Sequence, residues 1–328
     1  MKAMLIRKYG DPDVFELGDI EVPEIHVDEI LLKVHSSSVN PIDTKIRQGA
    51  LKRFIRLKMP AILGCDVSGE VVKIGNRVSK FQVGDRVYAY TGIKKNGGYA
   101  QFVAIPELYA ALVPENLIMT EAGTVPAVGM TAYEAFTVHA PVRKGMKVLI
   151  NGAAGGVGSY AIQIAKHFEA EVTAVCSTGK IDLAKQLGAD KIIDYKKRNI
   201  FESDNRYDII LNCVRGIGFN KFRNMLKPEG RLVIIAGSPL EIPLMKISNL
   251  LSSRKTIPFF VKTNGAILKS LSALIKSGEV RPVIQKIYSW KELPQAHRDF
   301  EAGKIAGKIG ITSVIEDEKV KITNAGYA

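Results

Sequence analysis

Cysteine is scarce in this chain. The 328 residues contain three, Cys65, Cys176 and Cys213, scattered and odd in number. That excludes a disulfide framework and leaves no C-x-x-C pair, so a reducing compartment, the cytoplasm, is expected. The five histidines, His26, His35, His139, His167 and His297, show no metal-ligand spacing. His35 reads as a strand residue and His167 as a helix-surface residue. No apolar run is long enough to span a bilayer, so integral membrane association is not expected. The chain opens on Met1-Lys-Ala-Met-Leu-Ile, which reads as a strand and not as a secretory signal. Acidic residues are also few, 33 against 46 basic ones, for a net charge of +13. The basic residues are spread along the chain, and no aromatic–basic module accompanies them, so nucleic acid is not an expected partner. A surface that draws an anionic cofactor, or another anionic surface, accounts for the charge. Internal repeats and low-complexity tracts are absent.

What is present centres on residues 147–158, Lys-Val-Leu-Ile-Asn-Gly-Ala-Ala-Gly-Gly-Val-Gly. Val148, Leu149 and Ile150 read as a short buried strand. The glycines turn the chain into an amphipathic helix with Ile162, Ile164, Ala165 and Phe168 as its apolar positions. A strand, a tight glycine turn and a helix N-terminus make a pyrophosphate site, because free N–H groups of the first helical turn point at the phosphates. Ala153 stands at the first position of G-x-G-x-x-G, with Gly155 and Gly158 at the others. The expected contacts are Ala154, Gly155, Gly156, Val157 and Gly158. An ordinary strand-to-helix turn is the plainer reading of this stretch alone. A second strand, Glu171–Cys176, ends without the carboxylate that holds an NAD ribose. Ser177 and Lys180 follow it instead, which suits a 2′-phosphate and therefore NADPH. Lys180 also reads as a solvated lysine opening the next helix.

Hydrophobic residues make up 46% of the chain, enough for a sizeable core over two domains. Residues 1–35 read as strands at Lys2–Arg7, Phe15–Ile20 and Ile30–His35. Pro41 biases Asn40 away from helical backbone, and a short helix containing Ile46 follows. Residues 62–104 give short strands punctuated by glycine turns, a barrel-like pattern. Thr120 and Glu121 are expected to cap a helical stretch broken near Pro126. From Met146, strands at 148–151, 171–175, 190–194, 207–212 and 230–235 alternate with helices at 157–168, 180–187, 217–226 and near 243–252. Such alternation predicts a parallel sheet with helices on both faces. A helix at 264–276, a strand at 280–288, a helix at 293–303 and a strand at 308–315 follow. Residues 316–328 are charged and loosely patterned.

Eight segments in this order and spacing resemble the medium-chain dehydrogenase/reductase superfamily, and within it the quinone oxidoreductase group. They are Val39-Asn-Pro-Ile-Asp, Gly64-Cys-Asp-Val-Ser-Gly-Glu-Val, Val83-Gly-Asp-Arg-Val, Gly98-Tyr-Ala-Gln-Phe, Gly129-Met-Thr-Ala-Tyr-Glu-Ala, Ala153-Ala-Gly-Gly-Val-Gly, Leu187-Gly-Ala-Asp and Gly307-Lys-Ile. The resemblance covers nearly the whole chain. It implies an α/β protein with a GroES-like β-barrel catalytic domain, residues 1–120 completed by 265–328, and a Rossmann doubly wound NADP-binding domain, residues 121–264.

The resemblance also implies what each candidate residue does. The catalytic zinc of the alcohol dehydrogenase branch uses Cys, His and Cys, where this chain has Asn40, Cys65 and Ala127. Its structural zinc needs four clustered cysteines, more than the chain contains. No metal is expected. Zinc-free relatives send a hydride from NADPH into a quinone or an α,β-unsaturated ketone, whose electron-poor carbon needs alignment and oxyanion stabilisation. Asn40 is expected at the nicotinamide, holding its ribose or donating to the oxyanion, or else as a turn-former. Thr131 is expected beside the nicotinamide ring, or as a helical Thr bonded back to a carbonyl. Tyr195 packs by the 2′-phosphate with Ser177 and Lys180. Asn212, Cys213 and Ala236 end later strands at the cofactor crevice, with Cys213 a small strand-end residue and not a nucleophile. Lys308, in the returning segment, is assigned to the cofactor phosphate.

Competing readings remain at this point. Enoyl-thioester reduction needs a Tyr where Leu51 stands. A cofactor-binding structural or membrane-surface protein is the non-enzymatic reading, without a strongly amphipathic basic segment to carry it. Residues Asn40–Gly49, Leu187–Tyr195 and Asn212-Cys213 extend the resemblance to chloroplast-envelope members of the group that reduce enones. Residues 50–58 are expected to form a lip over the acceptor. A homodimer through an edge strand near Arg254–Phe260 is the expected assembly.

Overall fold

The computed structural model describes residues 1–235 and 241–312. Ala236 and the tail 316–328 lie outside the described residues. Strands β1 (Lys2–Ile6), β2 (Phe15–Asp19), β3 (Glu29–Ser38), β4 (Ala61–Ile62), β5 (Asp66–Ile74), β6 (Arg86–Tyr90), β7 (Phe102–Pro106) and β8 (Ala110–Leu112) come first, with α1 (Pro41–Arg47) between β3 and β4. Helices α2 (Met119–Ala122) and α3 (Pro126–Glu134) lead to β9 (Lys147–Asn151), α4 (Gly156–His167), β10 (Glu171–Cys176), α5 (Ile181–Gln186), β11 (Lys191–Asp194) and β12 (Tyr207–Asn212). The chain continues through α6 (Phe219–Arg223), β13 (Leu226–Ile235), α7 (Ile242–Leu250), β14 (Lys255–Phe259), α8 (Gly265–Lys276), β15 (Ile284–Ser289), α9 (Leu293–Glu301) and β16 (Lys308–Thr312).

Strands β9 to β14 form one parallel sheet in the order β11-β10-β9-β12-β13-β14. This is the doubly wound order whose switch point, between β9 and β12, receives a dinucleotide. Val148, Leu149 and Ile150 are fully buried in the central strand, as continuous apolar runs in a sheet covered on both faces must be. Helix α4 follows the 3.6-residue period and buries Tyr160, Ala161, Ile164 and Ala165. The expected helix at 217–226 is shorter. It starts after Gly218 and stops at Arg223, because β13 already begins at Leu226.

A second sheet has seven strands, in the order β15-β16-β3-β5-β6-β8 with β7 also on β3. Its first-half strands are antiparallel, and β16 returns to pair antiparallel with β3 through Gly310 and Ser38. Ile30, Leu32 and Val34 pack there against Val67, Val71, Val87 and Ile105. A small sheet β2-β1-β4 covers one side. The helical stretch before β9 breaks where Pro126 takes the first position of α3, where its missing N–H costs nothing. Thr120, expected as a cap, lies inside α2. Glu121 accepts from the Ile118 N–H at 3.2 Å and does the capping. Helix α8, capped by the Asn264 side chain, packs on α3 and β8. Gly265 permits this approach, since a Cβ there would lie 2.3 Å from the Ala110 carbonyl oxygen.

Candidate active site

The two sheets leave a cleft of about 330 Å³ between them, lined from one side by Gly152, Gly155, Gly156 and Gly158 and from the other by Asn40 and Lys308. Ala154 and Val157 also line it. The turn out of β9 depends on glycine at two points. Gly152 has φ of +80°, and a Cβ on Gly158 would sit 2.3 Å from the Gly152 carbonyl oxygen. Helix α4 follows Gly155, whose position offers no side chain to cap it, so its opening N–H groups face the cleft. A Cβ on Gly155 would meet nothing closer than 3.4 Å and would therefore project into that space. These features fit the pyrophosphate of a dinucleotide. The returning segment closes the turn. Gly307 pairs with Gly155 as a parallel bridge and donates its N–H to the Ala154 carbonyl at 2.9 Å.

Ser177 and Lys180 after β10 and Tyr195 after β11 line the same cleft. Tyr195 is 57% exposed, so its ring is open to a ligand. Lys180 donates to the Ile305 carbonyl at 2.6 Å, and burial pushes its pKa down. Sequence reasoning passed over Asp194, at the end of β11. The Thr178 hydroxyl donates to it at 2.6 Å and, with the Lys196 N–H, holds its carboxyl below the usual range.

The other end of the cleft differs from expectation. The Asn40 amide donates to Asp66 Oδ2 at 2.8 Å, and its Oδ1 accepts from Lys308 Nζ at 2.7 Å. Ser38 Oγ donates to the same carboxylate oxygen at 2.6 Å, and the Ala127 N–H donates to Asp66 Oδ1 at 2.7 Å. The Asn40 backbone N–H donates to Asp43 Oδ2 at 2.8 Å, so the turn-forming role is present as well. Asn40 is thus held within a buried network, and its amide is not wholly free for a ligand. Lys308 lines the cleft and is engaged in the same network. Its ammonium donates to Asn40 and to the Val39 carbonyl at 3.0 Å, and pairs with Asp66 at 3.5 Å, which commits it before any phosphate arrives. Asp66 and Ser38 were missed as site residues. Asp66 stands in the Gly64-Cys-Asp segment and Ser38 directly before Val39-Asn-Pro, and neither segment gives a hint of contact with residue 308.

Thr131 does not reach the cleft. It is buried in α3 and donates back to the Ala127 carbonyl at 2.6 Å, while Val128 on the same helix is the lining residue. Asn212 ends β12 beneath the cleft, accepting from Asn151 at 2.9 Å and from the Val214 N–H at 3.1 Å, and Cys213 and Val214 line the cleft above it. Burial pushes the Cys213 thiol up to about 12, which makes it a poor nucleophile. Residues 50–58 do not form a lip here. Arg56, Leu57 and Lys58 line a separate cleft of about 430 Å³. Lys45, on α1, is pushed down to about 8 by burial and by Arg215 beyond β12, and no sequence motif marked either residue.

The donor set does not fit zinc. Ala127 has no ligating side chain, and burial with Asp43 nearby pushes the Cys65 thiol well above its ordinary value, away from the thiolate that binds metal. Among the described residues no group of three His, Cys, Asp or Glu side chains is placed to hold a metal ion.

Residues 26–115 match the alcohol dehydrogenase GroES-like domain, and residues 187–310 match the family described as zinc-binding dehydrogenase. The 2-methylene-furan-3-one reductase of Solanum lycopersicum is 36% identical over 322 residues, 95% of this chain and 79% of that protein. The chloroplast envelope quinone oxidoreductase homolog of Arabidopsis thaliana is 32% identical over 320 residues, 94% of this chain and 97% of that protein. The solved quinone oxidoreductase from Coxiella burnetii superposes with a TM-score of 0.87 at 30% identity, covering 96% of this chain and 99% of that one.

Proposed function

Because the chain belongs to the zinc-independent quinone oxidoreductase branch of the medium-chain dehydrogenase/reductase superfamily, we propose that its interdomain cleft reduces quinones and the C=C bond of α,β-unsaturated ketones with NADPH. The observation that carries the reading is one cleft holding an uncapped α4 N-terminus, Ser177, Lys180 and Tyr195, with a donor set unfit for zinc beside it. NADPH, when bound, supplies the hydride. Gly155, Gly156, Val157 and Gly158 hold its pyrophosphate, and Gly307 keeps that turn in place. Ser177, Lys180 and Tyr195 take the 2′-phosphate end. Val128, Cys213 and Val214 shape the apolar wall against which a flat acceptor lies and exclude water from it. The proton that completes the reduction comes from water.

The similarity to a 2-methylene-furan-3-one reductase favours an enone acceptor over a simple quinone. Enoyl-thioester reduction is disfavoured, since Leu51 has no proton to give and packs against a core cluster. Steady-state NADPH oxidation over quinones, enones, an enoyl-CoA and simple aldehydes tests the assignment. The expected product from an enone is the saturated ketone with its carbonyl kept. An allylic alcohol would overturn the mechanism, and activity confined to aldehydes would overturn the class. NADPH binding without turnover of any acceptor would favour the structural-protein reading instead.

We also propose a cytoplasmic homodimer. The three cysteines are unpaired, which agrees with a reducing compartment, and no helix among the described residues is long and apolar enough to cross a membrane. The outer edge of β14 and the exposed side chains of α7 support the dimer.

A further inference from the structure

We infer that Lys308 is a positioning residue for the reacting end of the cleft, a buried internal cation that fixes the Asn40 amide and neutralises Asp66. The inference rests on the functional reading above. Lys308 is 2% exposed and its head group meets only protein acceptors: Asn40 Oδ1 at 2.7 Å, the Val39 carbonyl at 3.0 Å and Asp66 Oδ2 at 3.5 Å. An ammonium only donates and a carboxylate only accepts. The Asn40 side chain is wedged between them, so its oxygen must face Lys308 and its nitrogen must face Asp66. One N–H of that amide goes to Asp66 at 2.8 Å. Ser38 Oγ, 3.4 Å from the amide nitrogen and 2.6 Å from that carboxylate oxygen, lies on the same side and shares this N–H, so the second N–H has no acceptor among the described residues. That second N–H is the one a ligand at the Asn40 end of the cleft can take. The lysine stem runs beside the phosphate turn, since a Cβ on Gly156 would lie 3.1 Å from Lys308 Cδ. One side chain therefore links the cofactor turn to the amide at the other end.

Charge gives the second reason for a cation here. Asp43 and Asp66 are both buried at this end, where negative charge develops on the acceptor oxygen during reduction. Two uncompensated carboxylates would oppose that charge. Lys308 offsets them, and burial and these neighbours act on it in opposite senses, with desolvation the larger.

The test compares Lys308→Met, which keeps the stem, with the charge-balanced pair Lys308→Met/Asp66→Asn. The NADPH dissociation constant comes from fluorescence titration, and kcat and KM from steady-state rates against pH. Both variants are expected to bind NADPH within about 3-fold of wild type and to lose about 10- to 100-fold in kcat, the usual effect of removing a group that orients another. In Lys308→Met the loss should shrink as pH falls and Asp43, already raised to about 6 and freed of the opposing charge of Lys308, takes up a proton. In the double variant the loss in kcat should stay, and the pH dependence that remains belongs to Asp43, which still titrates there. Asn40→Ala added to the double variant should cost less than about 2-fold more, because the lysine acts through Asn40. A large loss of NADPH affinity with kcat retained would make Lys308 a phosphate ligand and overturn the inference. Wild-type kcat in the double variant would overturn it too. If Lys308→Met does not fold, the double variant, which removes the Asp66 carboxylate together with the ammonium, decides. If wild type turns over no acceptor, the functional reading fails separately. The emission of bound NADPH then decides the positioning claim, which requires a spectrum in Lys308→Met closer to that of free cofactor.

Discussion

Gly307 donates its N–H to the Ala154 carbonyl at 2.9 Å and so ties the last described strand to the first turn of the cofactor site. The residue has φ of +67°, and a Cβ there would lie 2.3 Å from the Val283 carbonyl oxygen. A side chain at such a backbone position costs about 1–2 kcal/mol even without the clash. Gly307→Ala is therefore expected to lower the melting temperature and weaken NADPH binding together. An unchanged melting temperature, by calorimetry, would show that the segment is not held as described.

Gly155 and Gly158 should separate binding from folding. A Cβ on Gly155 meets nothing nearer than 3.4 Å and points into the cleft, whereas one on Gly158 collides with Gly152 and Ala153 at 2.3 and 2.6 Å. Gly155→Val should keep its melting temperature and lose about 10-fold or more in NADPH affinity. Gly158→Val should lose about 1–3 kcal/mol of stability as well. Equal thermal shifts in the two variants would argue against a cradle at Gly155.

Cofactor preference turns on Lys180. Its ammonium is held by the Ile305 carbonyl at 2.6 Å, beside Ser177 and Tyr195 in the lining of the cleft. A hydrogen bond to a phosphate from a charged donor contributes about 1.5–3 kcal/mol. Lys180→Ala is expected to lose about 10- to 100-fold in NADPH affinity and little in NADH affinity. Parallel losses for both cofactors, measured by isothermal titration, would remove Lys180 from the 2′-phosphate site.

The cofactor half of this site was legible in the sequence because it is built locally. Strand, glycine turn and helix follow one another within residues 147–167, and periodicity and turn chemistry report such a unit directly. Ser177 and Lys180 follow the next strand by the same logic. The reacting half was not legible, because Asn40, Asp66 and Lys308 meet only through tertiary pairing of β3, β5 and β16. The bond of Lys308 to Asn40 could not be read, because a lysine after a glycine carries no mark of the partner it finds 268 residues away. Thr131 was drawn toward the ring by resemblance alone, while its helix periodicity equally allowed the inward bond to Ala127.

Asp43 should make stability depend on pH in an unusual direction. It is fully buried, and desolvation, with Asp66 adding to it, raises its pKa to about 6, against the opposing effects of the nearby Cys65 thiol, the Asn40 N–H and the charge of Lys308. A carboxyl raised in the folded state is bound to its proton more tightly there than in the unfolded chain. Its contribution to stability is complete below about pH 4 and is lost as pH rises through about 6. Asp43→Asn keeps an oxygen for the Asn40 N–H and removes the charge. The variant should gain on wild type as pH rises from about 4 to 6 and hold a constant advantage above that. Denaturant midpoints measured across this window check it. An advantage that does not change with pH would mean that Asp43 titrates normally.

Assembly is the last expectation, and it rests on one edge of the molecule. Strand β14 ends the six-stranded sheet, so its outer backbone groups have no strand beside them among the described residues. Pro258 removes one donor from that edge, which limits pairing through the backbone alone. Phe259 is buried, its ring centroid 4.4 Å from that of His139, so it serves the core and not an interface. The apolar area lies on α7, which packs on β14. Leu244, Ile247 and Leu251 recur at helical spacing and are 59%, 56% and 82% exposed, with Leu250 beside them at 86%. Clustered large apolar side chains of this kind mark an interaction surface. A second copy related by a two-fold axis would cover the stripe with itself and set the two β14 edges side by side. None of these residues lines the cofactor cleft. Ile247→Glu together with Leu251→Glu should therefore convert a dimer to a monomer while leaving kcat unchanged. Light scattering at micromolar concentration reads the mass directly, and a monomeric wild-type protein would refute the dimer.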